Sequence, residues 1–162
     1  MILDTPTKRR ELLDRVKTVA IVGASENPAR ASYFVLRYLR THGYEVWPVN
    51  PTHASVDGLK SYPTLAALVA EHGVPDVVDV FRRPDALPEI VEEVIAVGAK
   101  ALWLQYGVVN DQAIKRADEA GLAVVVDRCM KAEHARFSGG LSMAGMDSGI
   151  VTSKRRAAAR LS

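Results

Sequence analysis

The stretch Thr18-Val19-Ala20-Ile21-Val22-Gly23-Ala24-Ser25 decides how this chain is read. Its apolar run is continuous rather than alternating, the mark of a parallel strand buried on both faces. It ends on a glycine followed by two small residues, and a helical pattern resumes a few positions later. Strand, tight glycine turn and helix together make a phosphate seat in an α/β sheet. Small residues let backbone N–H groups approach an anion, and the helix N-terminus adds a favourable dipole. A dinucleotide fingerprint would read G-x-G-x-x-G here, whereas the chain has Gly23-Ala24-Ser25-Glu26-Asn27-Pro28, one glycine of the three. The loop reads as phosphate-binding, but not in the usual manner of NAD sites.

Outward from this strand, helices and strands alternate. Residues 5–16 place Leu12, Leu13 and Val16 among charges as a short amphipathic helix started by Thr5-Pro6. Ala31 to His42 repeats apolar residues at helical spacing and stops at Gly43. Tyr44 to Val49 is a second strand, Leu65 to His72 a short helix, and Val77 to Phe81 a third strand. Pro84 to Val97 is predicted as one long helix, followed by a strand at 101–104, a helix at 111–120, a strand at 122–126 and a final helix at 130–137. The spacing predicts βαβ units with right-handed crossovers. The expected architecture is a single Rossmann-like α/β domain: a doubly wound, mostly parallel five-stranded sheet with helices on both faces. The domain is expected over residues 5–137. The glycine-rich, then basic tail at 138–162 is expected to be mobile, with Lys154-Arg155-Arg156 solvated rather than an anion-binding arm.

Bulk properties narrow the class. A chain of 162 residues with 48% hydrophobic and 25% charged residues has the composition of an ordinary globular domain. Net charge is +2, with no basic stripe interleaved with aromatics, so no nucleic-acid partner is expected. No apolar run reaches the ~18–20 residues needed to span a bilayer, and the N-terminus does not resemble a secretory signal. The single cysteine, Cys129, excludes an internal disulfide and fits a reducing cytoplasm.

In a doubly wound sheet, ligands sit outside the carboxyl ends of the strands. The residues following each strand are therefore the candidates: Gly23-Ala24-Ser25, Asn50-Pro51-Thr52-His53, Phe81-Arg82-Arg83, Gln105-Tyr106-Gly107 and Asp127-Arg128-Cys129. A dinucleotide site places Asp or Glu after the second strand to hold the ribose. Asn50 and a rigid Pro51 stand there instead, which argues against NAD.

The segments VAIVGASENPARASYFV, YEVWPVNP, DVVDVFRRPDALPEIVEEVIAVGAKALWLQYGVVN and AGLAVVVDRCMKAEHARF closely resemble stand-alone CoA-binding domain proteins. These are similar to the nucleotide-binding domain of the succinyl-CoA synthetase α-subunit. The resemblance implies coenzyme A or a short acyl-CoA as the ligand. It places Ser25, Glu26, Asn27 and Pro28 around the CoA phosphates and the start of the pantetheine, with Gly23 and Ala24 at the turn. It places Asn50, Pro51 and His53 on a segment where the synthetase has a CoA-contacting lysine; His53 replaces that lysine. Phe81 and Arg82 fall along the adenine and pantetheine path, and Gln105 and Tyr106 on a cofactor-touching segment. The synthetase's phosphorylated histidine belongs to a second domain that this chain does not include, and no ATP-grasp unit is present. The expected function is binding without chemistry of its own; the alternative is a subunit of an acyl-CoA synthetase or transferase that needs a separate ATP-grasp partner. A protein partner or a homo-oligomer stays open.

The same residues have plainer readings. Ser25 could N-cap the following helix, and Arg82 or Arg83 could be solvated. Tyr106 reads as a ring covering the crevice rather than a catalytic phenol. His42 and His72 read as C-terminal caps, and His134 as solvated. Cys129 reads as a buried thiol, against a reactive one meeting the CoA sulfur. Asp79, inside a buried strand, reads as a hydrogen-bonded structural carboxylate, against a general base. No Ser-His-Asp order and no metal-ligand spacing emerges.

Overall fold

The computed structural model describes residues 1–138; the tail read from sequence as mobile falls, but for Ser138, outside them. The chain order is α1 (Pro6–Arg15), β1 (Thr18–Val22), α2 (Ala31–Thr41), β2 (Glu45–Val49), β3 (Ser55–Val56), β4 (Leu59–Lys60), α3 (Leu65–His72), β5 (Val77–Val80), α4 (Leu87–Val97), β6 (Ala101–Leu104), α5 (Asp111–Glu119), β7 (Ala123–Val125) and α6 (Met130–Ser138). Five strands form one sheet in the order β2-β1-β5-β6-β7, and every pairing in it is parallel.

Alternation along each strand divides the core into two layers. Ala20, Val22, Val78, Val80, Leu102 and Leu104 face Leu68, Ile90, Val94 and Ala117 of α3, α4 and α5. Val19, Ile21, Val77, Trp103 and Val125 face Leu12, Leu36, Leu39 and Met130 of α1, α2 and α6. Asp79 alternates onto the second layer, and it is completely buried. The helices are started by side-chain caps where the sequence offers them. Thr5 accepts from Lys8 N at 3.2 Å, Thr64 from Ala67 N at 3.0 Å and Asn110 from Ala113 N at 3.0 Å.

The order places the topological switch between β1 and β5, because the chain winds outward from β1 in both directions. There the two strand ends nearly touch. Phe81, just after β5, donates its N–H to Val22 O of β1 at 2.8 Å, while on the other side Gly23 donates to Val49 O of β2 at 2.9 Å. Gly23 has φ +89°, and a Cβ there would lie 2.8 Å from the Phe81 carbonyl oxygen. Glycine is required by both conformation and space.

Several local expectations are corrected. The segment 84–97 is not one α-helix: Pro84–Ala86 is a 3₁₀ turn in which Leu87 N bonds Pro84 O, and α4 begins at Leu87. An α-helix from Pro84 would need the N–H of residue 88, which is Pro88 and has none. Ser25 does not cap α2; the cap position is Arg30, which makes no side-chain cap bond. The Ser25 hydroxyl accepts instead from Asn27 N at 3.0 Å. His72 does not cap α3 with its ring, which stacks on Trp47 at 4.6 Å and hydrogen-bonds the Tyr62 hydroxyl at 2.6 Å. His134 is not solvated but half-buried, paired through Nδ1 with the Tyr38 hydroxyl at 2.9 Å.

Three features escaped the sequence reading. Val56-Asp57-Gly58-Leu59 forms a hairpin, with Asp57 at φ 50° and Gly58 at φ 78°, and its backbone holds Glu26 through Asp57 N at 2.9 Å. The N-terminal segment lies beside β7, with Leu3 N on Val124 O at 2.7 Å. Arg9 of α1 and Glu133 of α6 form a buried ion pair at 2.7 Å.

Candidate functional site

A cavity of about 390 Å³ opens at the switch point, above the carboxyl ends of β1, β5 and β6. Two other cavities, each about 410 Å³, lie at the outer edge of the sheet beside Trp47 and at the end opposite the switch point, beside Asp76. Size does not separate the three. Position does, because only the strand-end cavity stands where the sheet splays and helix N-termini converge.

One wall is the loop after β1. Gly23 and Ser25 line it, and Ser25 N is held by the Ser32 hydroxyl at 3.1 Å. Beyond the loop, Arg30, Ala31 and Ser32 present the start of α2 to the cavity. The Arg30 carbonyl accepts from Tyr33 N at 3.1 Å, while no bond is made by the N–H groups of Ala31 and Ser32 among the described residues. An eleven-residue helix thus directs its uncapped positive end at the cavity.

The opposite wall is the loop after β5, where Phe81, Arg82 and Arg83 line the space. Arg83 pairs with Asp85 at 3.2 Å in full view of solvent. Arg30 and Arg82 make no ion pair among the described residues, and no carboxylate lines the cavity. The resulting field favours an anion with several charges.

The third wall comes from the loops after β6 and β7. Gln105, Tyr106, Gly107, Val108 and Cys129 line it. Asp127, at φ 59°, ties these loops together by accepting from Gly107 N at 2.8 Å. Gln105 is buried and donates its Nε2–H to Asp79 Oδ1 at 2.7 Å. Asp79 Oδ2 has no hydrogen-bond partner among the described residues. Burial pushes this carboxyl up to about 8, against a smaller opposing effect of the Gln105 hydrogen bond, so its neutral form dominates at pH 7. Burial also pushes the Cys129 thiol up, against a smaller opposing effect of the Ala132 and Lys131 backbone.

Of the residues singled out from sequence, Gly23, Ser25, Phe81, Arg82, Gln105 and Tyr106 meet in this cavity. Ala24 is buried beneath it, its carbonyl accepting from Asn50 Nδ2 at 2.7 Å. Asn27 accepts from Ala29 N at 2.9 Å and shapes the loop outside the cavity wall. Asn50 also accepts from Thr52 N at 2.8 Å, so it braces two loops. Pro51 is exposed and His53 half-exposed, and neither lines the cavity. Arg30 and Ser32 were missed. Between a helix-breaking loop and an apolar helix they look like ordinary surface residues, and only the strand order brings them to the site.

The chain matches known proteins on this same framework. The CoA binding domain family model matches residues 17–135. An uncharacterised protein of Bacillus subtilis, YneT, is 38% identical over 135 residues, covering 82% of this chain and 98% of that protein. A hypothetical protein of Pyrococcus horikoshii superposes with a TM-score of 0.78 at 45% identity, over 83% of this chain and 93% of that one. An ADP-forming acetate–CoA ligase of Methanocaldococcus jannaschii is 27% identical over 84 residues, which is 52% of this chain and 12% of the ligase.

Proposed function

The chain belongs to the CoA binding domain family, and from that premise we propose that it holds coenzyme A, or a short acyl-CoA, in the strand-end cavity and performs no acyl transfer unaided. The observation that carries this reading is the pairing of Arg30 and Arg82 with the uncapped start of α2 around a cavity without carboxylates. CoA is a polyphosphate with a long, flexible, mostly neutral arm. Arginine forks and free backbone N–H groups suit the phosphates, while the wall of Phe81, Gln105 and Tyr106 suits the arm. The backbone at Gly23 and the Ser25 hydroxyl form the phosphate side of the pocket; Ala24, Asn27 and Asn50 shape that loop from behind. Pro51 and His53, which lie outside the cavity wall, are left out of this pocket. The chain works as a soluble cytoplasmic domain, with no nucleic-acid or membrane partner. Among the described residues no helix is long and apolar enough to cross a membrane.

Isothermal titration with CoA, acetyl-CoA, NAD and ATP tests the proposal. CoA species should bind, and NAD and ATP should bind at least tenfold more weakly. Preference for NAD, or no heat with either CoA species, overturns it.

A second reading makes the chain one component of an acyl-CoA synthetase that needs an ATP-grasp partner. It is favoured by the match to a small part of an acetate–CoA ligase. Thioester synthesis from acid, ATP and CoA that appears only when such a partner is added would support it.

A further inference from the structure

Gln105 stands immediately beyond β6, and its main chain is fixed on both sides. Its N–H meets Val80 O at 3.4 Å, and its carbonyl accepts from Val108 N at 3.0 Å. Only the side chain is left to turn. It lines the cavity yet is 5% exposed, so its amide lies deep in the wall rather than at the mouth. Nε2 donates to Asp79 Oδ1 at 2.7 Å, while Oε1 makes no hydrogen bond among the described residues. Among those residues Asp79 Oδ2 is the one buried side-chain nitrogen or oxygen without a partner, so Gln105 Oε1 is not cut off from open space. The open space that Gln105 borders is the cavity.

Asp79 holds the amide this way round. It projects from β5 with Ile21 of β1 and Trp103 of β6 as its register neighbours, both fully buried, and it has no exposed surface of its own. An apolar residue would fill such a place at less cost than a carboxyl group with one oxygen unsatisfied. Among the described residues, the side-chain hydrogen bond of Asp79 goes to Gln105 alone. Oδ1 accepts as part of a carboxylate and equally as the carbonyl of the acid, so the bond survives either state of the group. A primary amide has a donor end and an acceptor end. With the donor end engaged behind the wall, the acceptor end faces the ligand.

We propose that Gln105 reads the arm of the ligand, taking an amide N–H of a pantetheine-type arm on Oε1, and that Asp79 is the positioning residue that fixes the amide for this contact. This rests on the CoA reading of the cavity. The walls then divide the ligand by its hydrogen-bond chemistry. Arg30, Arg82 and the start of α2 offer donors and positive charge, which suit phosphate oxygens. A fully ionised phosphate has no hydrogen to give, so an acceptor facing the cavity does nothing for it, whereas each amide of the arm carries an N–H. An acceptor left unpaired when a ligand covers it costs affinity, so Gln105 discriminates against ligands that lack the arm.

The test is titration calorimetry of the full chain with CoA and with 3′-phosphoadenosine 5′-diphosphate, which keeps the phosphates and adenosine but lacks the arm. The parent should bind CoA roughly tenfold or more tightly than the armless ligand. Gln105→Met keeps the length of the side chain and removes the amide; it should weaken CoA roughly tenfold and leave the armless ligand within about twofold of parent. Asp79→Val should lower CoA affinity by a similar factor, and should add less than about twofold once Gln105→Met is in place. Asp79→Asn keeps an acceptor oxygen and should stay within about threefold of parent. Thermal melts of each variant report folding, and Asp79→Ala, which adds no bulk, serves if Asp79→Val does not fold. A merely structural role would weaken both ligands alike. Equal losses for Gln105→Met, or a parent that binds both ligands equally, therefore overturn the inference and leave phosphate binding standing. An Asp79→Val chain with parental CoA affinity, or one whose loss adds in full to that of Gln105→Met, overturns the positioning role of Asp79. A parent that binds neither ligand counts against the CoA reading instead.

Discussion

Gln105 Nε2 donates to Asp79 Oδ1 at 2.7 Å and leaves Asp79 Oδ2 buried with no hydrogen-bond partner among the described residues. The amide satisfies one oxygen of a carboxyl group that the sheet has removed from water. Desolvation outweighs that single bond, and the group titrates near 8 rather than in the usual carboxylate range.

The pH dependence of stability follows, and its sign is opposite to that of a salt-bridged aspartate. Between about 4 and 8 the folded chain keeps the Asp79 proton while the unfolded chain releases it. Stability from this group is then complete at acidic pH and declines as pH rises through that window, by up to about 1.4 kcal/mol per pH unit. Asp79→Asn should remove this component. Urea denaturation of parent and variant at pH 5, 7 and 9 should show the difference between them shifting toward the variant as pH rises. Parallel pH profiles would mean that Asp79 ionises normally.

Arg82 is the sharpest test of the phosphate side. Its fork can make two parallel charge-assisted bonds to a phosphate, each worth about 1.5–3 kcal/mol. Arg82→Ala should weaken CoA binding roughly tenfold to a hundredfold by titration calorimetry, and the gap between parent and variant should narrow as salt rises, because screening weakens the parent's charged contact. Ser25→Ala, which removes a hydroxyl already engaged with Asn27 N, should cost on the order of 1 kcal/mol. Affinity within twofold of parent for Arg82→Ala would move the phosphate contacts to the Gly23–Pro28 loop and the start of α2.

The sheet was legible because its evidence is local. Unbroken apolar runs such as Val77-Val78 and Leu102-Trp103-Leu104 announce strands covered on both faces, and the glycines after helices mark where each crossover ends. The hairpin at Asp57-Gly58 carried an equally local Asp-Gly turn signal, yet its strands have two residues each, too few to show alternation. Arg30 and the Arg9–Glu133 pair were out of reach for another reason. Their roles depend on which helices the fold brings together, 124 positions apart in the case of the ion pair, and no local pattern encodes that. Asn50 and His53 show a third limit: a strand-end position guarantees proximity to the crevice, but Asn50 turns inward to brace Ala24, and His53 remains outside the cavity wall.

Gly23→Ala should damage fold and site together. The added methyl carbon meets the Phe81 carbonyl at 2.8 Å and Arg82 Cδ at 2.9 Å, with φ at +89°. The arginine stem can move, but the backbone carbonyl cannot without parting β1 from β5. A loss of roughly 1–3 kcal/mol is expected from conformation and crowding. Chemical denaturation reads that loss, and CoA titration of the still-folded variant should show weaker binding than Arg82→Ala alone. A variant of parental stability would contradict the close approach of the two strand ends.

The Arg9–Glu133 pair yields the last prediction, because it holds α6, and with it Cys129, against the body of the domain. Arg9 Nε meets Glu133 Oε1 at 2.7 Å with both side chains 3% exposed, and Arg9 Nη1 also donates to Leu3 O at 3.3 Å. Arg136 stands 3.7 Å from the second Glu133 oxygen but is itself partly solvated. Removing one partner leaves a buried charge uncompensated, so Arg9→Met or Glu133→Leu alone should cost about 3–5 kcal/mol in urea unfolding. The double variant Arg9→Met with Glu133→Leu removes both charges and should recover most of that loss, since desolvating the pair offsets much of its attraction. A double variant as unstable as the sum of the singles would mean that each side chain acts through separate contacts. In that case Leu3 O, not Glu133, would be the principal partner of Arg9.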